Sequence, residues 1–347
     1  MALPEASKIT LRLNATRTKI MNKGGVADQI YANNYLLDLM KEKGAIKIGD
    51  FGRAAEFDML FQGNSTAKWM NRYEKYDTEP GTEFKPALFE LKKLGATAVG
   101  DMDTIDENDS DEKVWDYVKE KTSDALSSIQ QNFEAGLNNT GTDSKAVLGI
   151  RAIIADDPTT NPTAYNVGGI DRSSAANSFW RNQYNTSAGL GATVNFATDG
   201  KAAMRAMWSI CKRNAPKVVA GNKKEPSVIY CHWDVLDSYE AIHDSNDLHV
   251  RSDETAGSGY PHLVYKRIVP LVPGDSSNID GRMYFINLNK DGKGNPFFGL
   301  YLHEKANFAL GKWMEESDQD VYVQKIKVRG MFGGPYMKCH GVIYGIS

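Results

Sequence analysis

The residues best suited to chemistry gather in one stretch of the chain. Cys231-His232, followed by Asp234, puts a thiol, an imidazole and a carboxylate side by side. They could be drawn as a nucleophile and its base. A nucleophile needs its base in space, and adjacency in sequence does not supply that. His232, His243, His249 and His262 could be drawn as a metal cluster, but their spacings match no standard zinc pattern. Asn287-x-Asn289-x-Asp291-Gly292 imitates the opening of a calcium loop. Such a loop closes with a bidentate Glu at its twelfth position, and Phe298 stands there. The segment Lys290–Asn295, between two apolar runs, is better read as a hairpin turn. The phosphate-binding, nucleophile-elbow and zinc-protease motifs G-x-x-x-x-G-K-[ST], G-x-S-x-G and H-E-x-x-H are absent. The sequence therefore offers no catalytic, cofactor-binding or metal-binding residue, and the expectation is a protein that is not an enzyme.

The bulk properties bound the class further. The 347 residues suffice for two modest domains or one elaborated domain. A net charge of −3 is near neutral, whereas a nucleic-acid reader usually carries a basic domain. Cys211, Cys231 and Cys339 are odd in number and far apart, so each is expected to act as a small buried hydrophobe in a reducing compartment. No apolar run reaches the length of a membrane span, and the N-terminus lacks the apolar core of a signal peptide. A bacterial cytoplasm fits these features.

Along the chain, residues 1–27 form a polar arm in which Lys8, Arg12, Arg17, Lys19 and Lys23 outweigh Glu5. Such an arm is expected to lie on an acidic surface of a neighbouring subunit. Residues 28–43 read as a short helix capped by Asp28, with Ile30, Leu37 and Met40 on one face and Gly44 ending it. Residues 50–91 read as a hairpin. Phe57, Met59 and Phe61 alternate outward, Pro80-Gly81 turns, and Ala87, Phe89 and Leu91 alternate back. Trp69, Tyr73 and Tyr76 lie between, in strongly polar sequence. A hairpin of this kind cannot bury both faces against its own chain, so its aromatic residues are expected to meet another subunit.

The acidic run Asp101, Asp103, Asp106, Glu107, Asp109, Asp111 and Glu112 suggests a cation site. A helix N-terminus explains it better, because carboxylates favour that end and Asp109 with Glu112 fits a capping box. The helix it opens runs to about Leu137, with Val118, Thr122, Ala125, Ile129 and Phe133 as its buried stripe. Further on, Asp199 is expected to cap a helix carrying Met204, Met207, Trp208 and Cys211, and Asp234 to open another with Leu236, Tyr239 and Ile242. Strands fit Val228–Cys231, Leu263–Val269, Met283–Leu288, Phe297–Leu302, Gln319–Val328 and Tyr336–Ile346.

Three segments, in order and flanking the long helix, carry a resemblance. They are Phe57-Asp58-Met59-Leu60-Phe61-Gln62-Gly63-Asn64-Ser65-Thr66-Ala67-Lys68-Trp69, Leu148-Gly149-Ile150-Arg151-Ala152-Ile153-Ile154, and Val167-Gly168-Gly169-Ile170-Asp171-Arg172 with Phe179-Trp180-Arg181-Asn182-Gln183. Over roughly residues 28–347 the chain resembles the major capsid proteins of tailed bacteriophages, with the Hong Kong 97 fold. The resemblance implies an α+β fold: residues 1–49 as N-terminal arm and short helix, 50–100 as an extended E-loop hairpin, 101–149 as a peripheral domain with a long spine helix. It further implies a mixed α/β axial domain over 150–285, and returning peripheral strands with a terminal axial strand over 286–347. It implies self-assembly through pentamers and hexamers into an icosahedral shell around double-stranded DNA. The partners implied are a scaffolding protein, a portal protein and, where present, a decoration protein, with no membrane and no cofactor. The short arm after Met1 suggests that the scaffold is encoded separately. An encapsulin-type compartment of similar fold is the alternative. Intersubunit contacts are expected from Lys8, Arg12, Arg17, Lys19, Trp69, Tyr73, Tyr76, Trp180 and Arg181. Some members join subunits through a Lys–Asn bond. Lys68, Lys75 and Lys85 are available for it, but without evidence of a buried, aligned trio no crosslink is expected.

Overall fold

The longest apolar stripe in the sequence becomes the longest helix. A computed structural model describes residues 35–63, 66–76, 84–102, 111–160, 166–216, 224–242, 250–251, 262–266, 269–274, 276–291 and 294–346. Helix α1 (Tyr35–Glu42) leads to β1 (Ile46–Gly49), the hairpin strands β2 (Ala54–Leu60) and β3 (Phe84–Glu90), β4 (Lys92–Asp101) and helix α2 (Asp111–Leu137). A single turn, α3 (Ile150–Ile153), and a loop-rich stretch precede α4 (Phe196–Asn214), β5 (Val228–His232) and α5 (Trp233–Ile242). Then come β6 (Val250–Arg251), β7 (His262–Tyr265), β8 (Val269–Gly274) and β9 (Met283–Ile286). The chain closes with β10 (Gly299–His303), β11 (Ala309–Glu315), β12 (Val321–Gly333) and β13 (Gly341–Ile343).

Helix α2 has 27 residues, about 40 Å at the α-helical rise. Val118, Thr122, Ala125, Ile129 and Phe133 are all buried, as the spacing predicts. They lie on a five-stranded sheet in the order β1-β10-β12-β11, with β4 on the other edge of β12. The Thr122 hydroxyl donates to Gln324 Oε1 at 3.3 Å, and the Phe133 and Phe332 rings meet at 5.5 Å. The 13-residue β12 is the spine of this sheet, paired with β4 from Val321 to Gly330.

A second, six-stranded sheet runs β13-β9-β5-β8-β7-β6. Strands β5 and β8 are parallel and joined across α5, the long connection a parallel pair requires. The apolar runs Val228–Cys231 and Met283–Ile286 are buried throughout. Their alternate residues serve two cores: Val228, Tyr230, Tyr284 and Ile286 join the core under α2, while Ile229, Cys231, Met283 and Phe285 face α4 and α5. A strand covered on both faces loses polar alternation, which is why these segments read as continuous hydrophobic runs.

Several boundaries differ from expectation. Helix α4 starts at Phe196, whose ring is buried; Asn195 takes the cap position and Asp199 sits inside the first turn. The strand expected over Leu263–Val269 breaks into β7 and β8, because Lys266 turns the chain at φ +51 and the two pieces pair with each other. The terminal strand shrinks to Gly341–Ile343, ended by Gly345 at φ +64. Strand β11 was not anticipated, since a bulge between Leu310 and Trp313 disrupts its alternation. Helix α1 keeps Leu37 and Met40 buried and ends at Gly44, φ +63; Asp28 and Ile30 lie outside the described residues. So does Asp109 of the expected capping box.

Candidate interaction surfaces

Cys231 and His232 are neighbours in a strand, so their side chains leave opposite faces of the sheet. Cys231 is completely buried, and burial pushes its thiol up to about 12. A thiol held protonated in an apolar core is no nucleophile. Cys211 and Cys339 are buried as well, their thiols raised by the same desolvation. His232 turns to the other side, where Nδ1 lies 3.3 Å from Asp234 Oδ2 and 4.0 Å from Asp280 Oδ1. Among the described residues this is the one cluster with metal-ligand character. Its carboxylates are largely solvent-exposed, and Asp234 occupies the first turn of α5, where an acid favours the helix dipole. His243, His249 and the side chain of His262 lie outside the described residues.

The loop-rich stretch after α3 clasps the base of the hairpin. Gly168, at φ +65, accepts a hydrogen bond from Leu88 N at 3.0 Å, and a Cβ there would meet Ala87 Cβ at 2.9 Å. Only glycine permits that approach in that backbone conformation. Arg172 is buried; Nη1 donates to Ile153 O at 2.8 Å and to Asn182 Oδ1 at 3.2 Å, and Nη2 to Ala152 O at 3.1 Å. Burial lowers this guanidinium to about 10. Asp171 accepts from Ser173 N and Oγ at 2.9 and 2.7 Å, so the Asp-Arg pair fixes the following loop as its chemistry suggests. Arg282 grips Asp156 through Nε and Nη2 at 2.9 and 2.8 Å, tying this stretch to the six-stranded sheet.

Trp180 corrects an expectation. It is 1% exposed, donates from Nε1 to Val167 O at 2.7 Å and meets Phe89 at 6.4 Å. It is a core anchor for the hairpin within its own subunit and presents no surface to a neighbour. Arg181 is spent similarly, with Nε on Arg172 O and Nη2 on Ser173 O, both at 2.6 Å. The inward hairpin aromatics also stay at home: Phe57 packs on Phe89 and Tyr301 at 5.8 and 5.4 Å, and Phe61 on Phe179 at 5.2 Å.

The hairpin tip is different. Trp69, Tyr73 and Tyr76 are 101%, 89% and 82% exposed. Lys68 bridges Glu74 at 2.9 Å, and Asn71 N donates to Glu74 Oε2 at 3.1 Å; these contacts hold the Glu74 carboxyl below its usual range. The outward strand face adds Leu60 directly opposite Phe84, both 63% exposed, and Leu88. Sequence reading missed that stripe because it followed the inward residues of the same strands. Lys85 Nζ donates to Asn177 Oδ1 at 2.8 Å. The nearby Asp171 is exposed and accepts from Ser173. Lys8, Arg12, Arg17 and Lys19 lie outside the described residues.

No protein-family model matches the chain, and no curated protein matches it. Solved structures do. The capsid asymmetric unit of cyanophage A-1(L) superposes with a TM-score of 0.60 at 15% identity, over 89% of this chain and 92% of that one. The capsid of an empty GTA particle gives 0.49 at 9% identity, over 88% of this chain and 89% of that one. The holo-SrpI encapsulin of Synechococcus elongatus gives 0.48 at 9% identity, over 89% of this chain and 88% of that one. The cyanophage match shows the fold: over 89% of its length, this chain has the architecture of that phage capsid subunit. Among the described residues, no helix is long and apolar enough to cross a membrane.

Proposed function

We propose that the chain is the major capsid protein of a tailed bacteriophage. In this reading it assembles through pentamers and hexamers into an icosahedral shell that encloses double-stranded DNA. The observation that carries it is the capsid-subunit fold over 89% of the chain. The hairpin supports it: a monomeric protein has no evident use for three fully presented aromatic rings on a braced extension. Residues 50–100 then act as the E-loop that reaches over the adjacent subunit, and α2 as the spine helix of the peripheral domain, 101–149. Residues 150–285 form the axial domain around the symmetry axes, and 286–347 return through the peripheral domain. The basic arm, with Lys8, Arg12, Arg17 and Lys19, clamps a neighbouring subunit. Assembly takes place in the host bacterial cytoplasm with a scaffolding protein, and the mature virion adds a portal and, where present, a decoration protein. The polypeptide is a structural part and performs no catalysis.

Electron microscopy of the purified protein, with nuclease digestion of its contents, tests this. Uniform shells that protect double-stranded DNA in infected cells are expected. Shells loaded with a cargo enzyme would instead mark an encapsulin, and a small soluble oligomer would overturn both.

A further inference from the structure

The solvent-facing side of the β4–β12–β11 ribbon is polarised. At one end Lys325, Lys327 and Arg329 follow one another at the two-residue spacing that places them on a single face of β12. Arg329 stands directly opposite Lys93 of β4. Like charges in that relation repel and destabilise a strand pair. Among the described residues none of the four is in an ion pair. The other end carries Asp101, at the end of β4, and the exposed Glu316, Asp318 and Asp320 around the turn from β11 to β12. Lys93 and Asp101 close the two ends of β4, about 27 Å apart at the rise of an extended strand. Between the poles Val99 pairs with Val323, which pairs with Met314; Val99 and Met314 are 44% and 53% exposed.

A basic pole, an apolar waist and an acidic pole on one rigid ribbon are complementary to the same ribbon in another molecule. We infer that this face is a head-to-tail contact between copies of the chain: the Lys93, Lys325, Lys327 and Arg329 pole of one subunit receives the Glu316–Asp320 turn of the next. The inference rests on the shell reading and adds the surface that would carry one of its contacts. Different patches meet in such a heterologous interface, so it propagates from subunit to subunit and closes into a ring when the rotation allows. The like-charge repulsion within the basic pole, weakened by salt, is further relieved when an acidic partner arrives, which biases the subunit toward association. Exposed ion pairs contribute little individually, and their weight lies in register, partner choice and salt dependence. The near-neutral whole-chain charge of −3 favours a second copy over a polyanion as the occupant.

Charge reversal tests the contact at positions too exposed to endanger the fold. One variant combines Lys325→Glu with Lys327→Glu, a second Glu316→Lys with Asp318→Lys, and a third carries all four changes. Sedimentation at low salt should show at least a tenfold rise in the concentration each double variant needs to assemble, and recovery in the quadruple variant. Mixed one to one, the two double variants should associate with each other when neither associates with itself. Normal assembly of both, or no recovery in the mixture, overturns the contact. A Lys325→Glu/Lys327→Glu shell that forms normally but loses its DNA overturns it in favour of nucleic acid. If the mixed variants pair but the unaltered chain never closes a shell, the contact stands and the shell reading falls.

Discussion

The base and the tip of the hairpin are built from the same kind of residue and do opposite things. At the base, Phe57 and Phe89 lie edge to face at 5.8 Å, and Trp180 closes over Phe89 from the clasping loop. At the tip, Trp69 and Tyr73 touch water over nearly their whole surface. Aromatic content does not separate the two. The surroundings do: the base is hydrogen-bonded to the Gly168 backbone and packs on Tyr301 of the five-stranded sheet, while at the tip Lys68 and Glu74 pair with each other and Arg72 lies over the Tyr73 ring. Burial of the base stabilises the subunit. Exposure at the tip leaves apolar surface in water, a cost that the proposed contact with a neighbour would remove.

The comparison breaks most visibly if a base residue proves dispensable. Phe89→Ala should cost the subunit about 3–5 kcal/mol, the range for a fully buried Phe, and Phe133→Ala in α2 should cost as much. Chemical denaturation of the unassembled variants measures both. A loss below about 1 kcal/mol for Phe89 would mean that the hairpin base is not part of the core.

Acid should act on the body and spare the tip. His340 is fully buried beside Cys339 and the Phe298 ring; Nδ1 accepts from Asn287 N at 3.1 Å, and Nε2 is 3.4 Å from Phe297 O. Desolvation lowers its pKa to about 4 from an unfolded value near 6.5. The unfolded chain therefore takes up a proton that the folded chain refuses. Stability is intact above about pH 6.5 and falls as the pH drops toward about 4, by roughly 3 kcal/mol in all. Denaturation at pH 7 and pH 4.5 should show the loss, and a variant His340→Gln should flatten the part of the slope due to this ring.

The clasp gives a smaller effect. Arg172→Leu leaves the buried carbonyls of Ala152 and Ile153 without their donor, a penalty of roughly 2 kcal/mol after the cost of burying the charge is relieved. Because the loop also holds Gly168 against β3, limited proteolysis should cut the hairpin faster in this variant. Unchanged cutting would detach the clasp from the hairpin.

Much of this was legible in the sequence, for a physical reason. The stripe on α2 repeats at helical spacing for many turns, and one face of it must be buried whatever the tertiary context. The hairpin was legible from alternation, and the capsid fold from three motifs in order. What sequence could not separate was Trp180 from Trp69. Both are aromatic residues beside polar neighbours, and only the approach of Val167 O and Phe89, from distant positions, makes Trp180 internal. The basic pole on β12 was invisible for the same reason: Lys325, Lys327 and Arg329 read as a solvated strand face until Lys93 is placed opposite. Strand β11 was hidden by its bulge.

The smallest effect on the subunit should accompany the largest effect on assembly. Trp69 is 101% exposed, so Trp69→Ala removes no contact that the free subunit makes with its core. Exposed substitutions of this kind stay within about 0.5 kcal/mol. A Trp that fills a partner pocket is another matter, since its loss costs about 2 kcal/mol or more per interface. That is roughly a thirtyfold weakening of each contact, and a closed shell repeats the contact in every subunit. Trp69→Ala should therefore melt with the unaltered chain by circular dichroism and sediment as free subunits or capsomers, where the unaltered chain gives shells. Tyr73→Ala should follow in the same direction. If Trp69→Ala lowers the melting temperature by several degrees, the tip packs on its own subunit and the division between base and tip is wrong. If it assembles normally, the exposed rings are not what holds one subunit to the next.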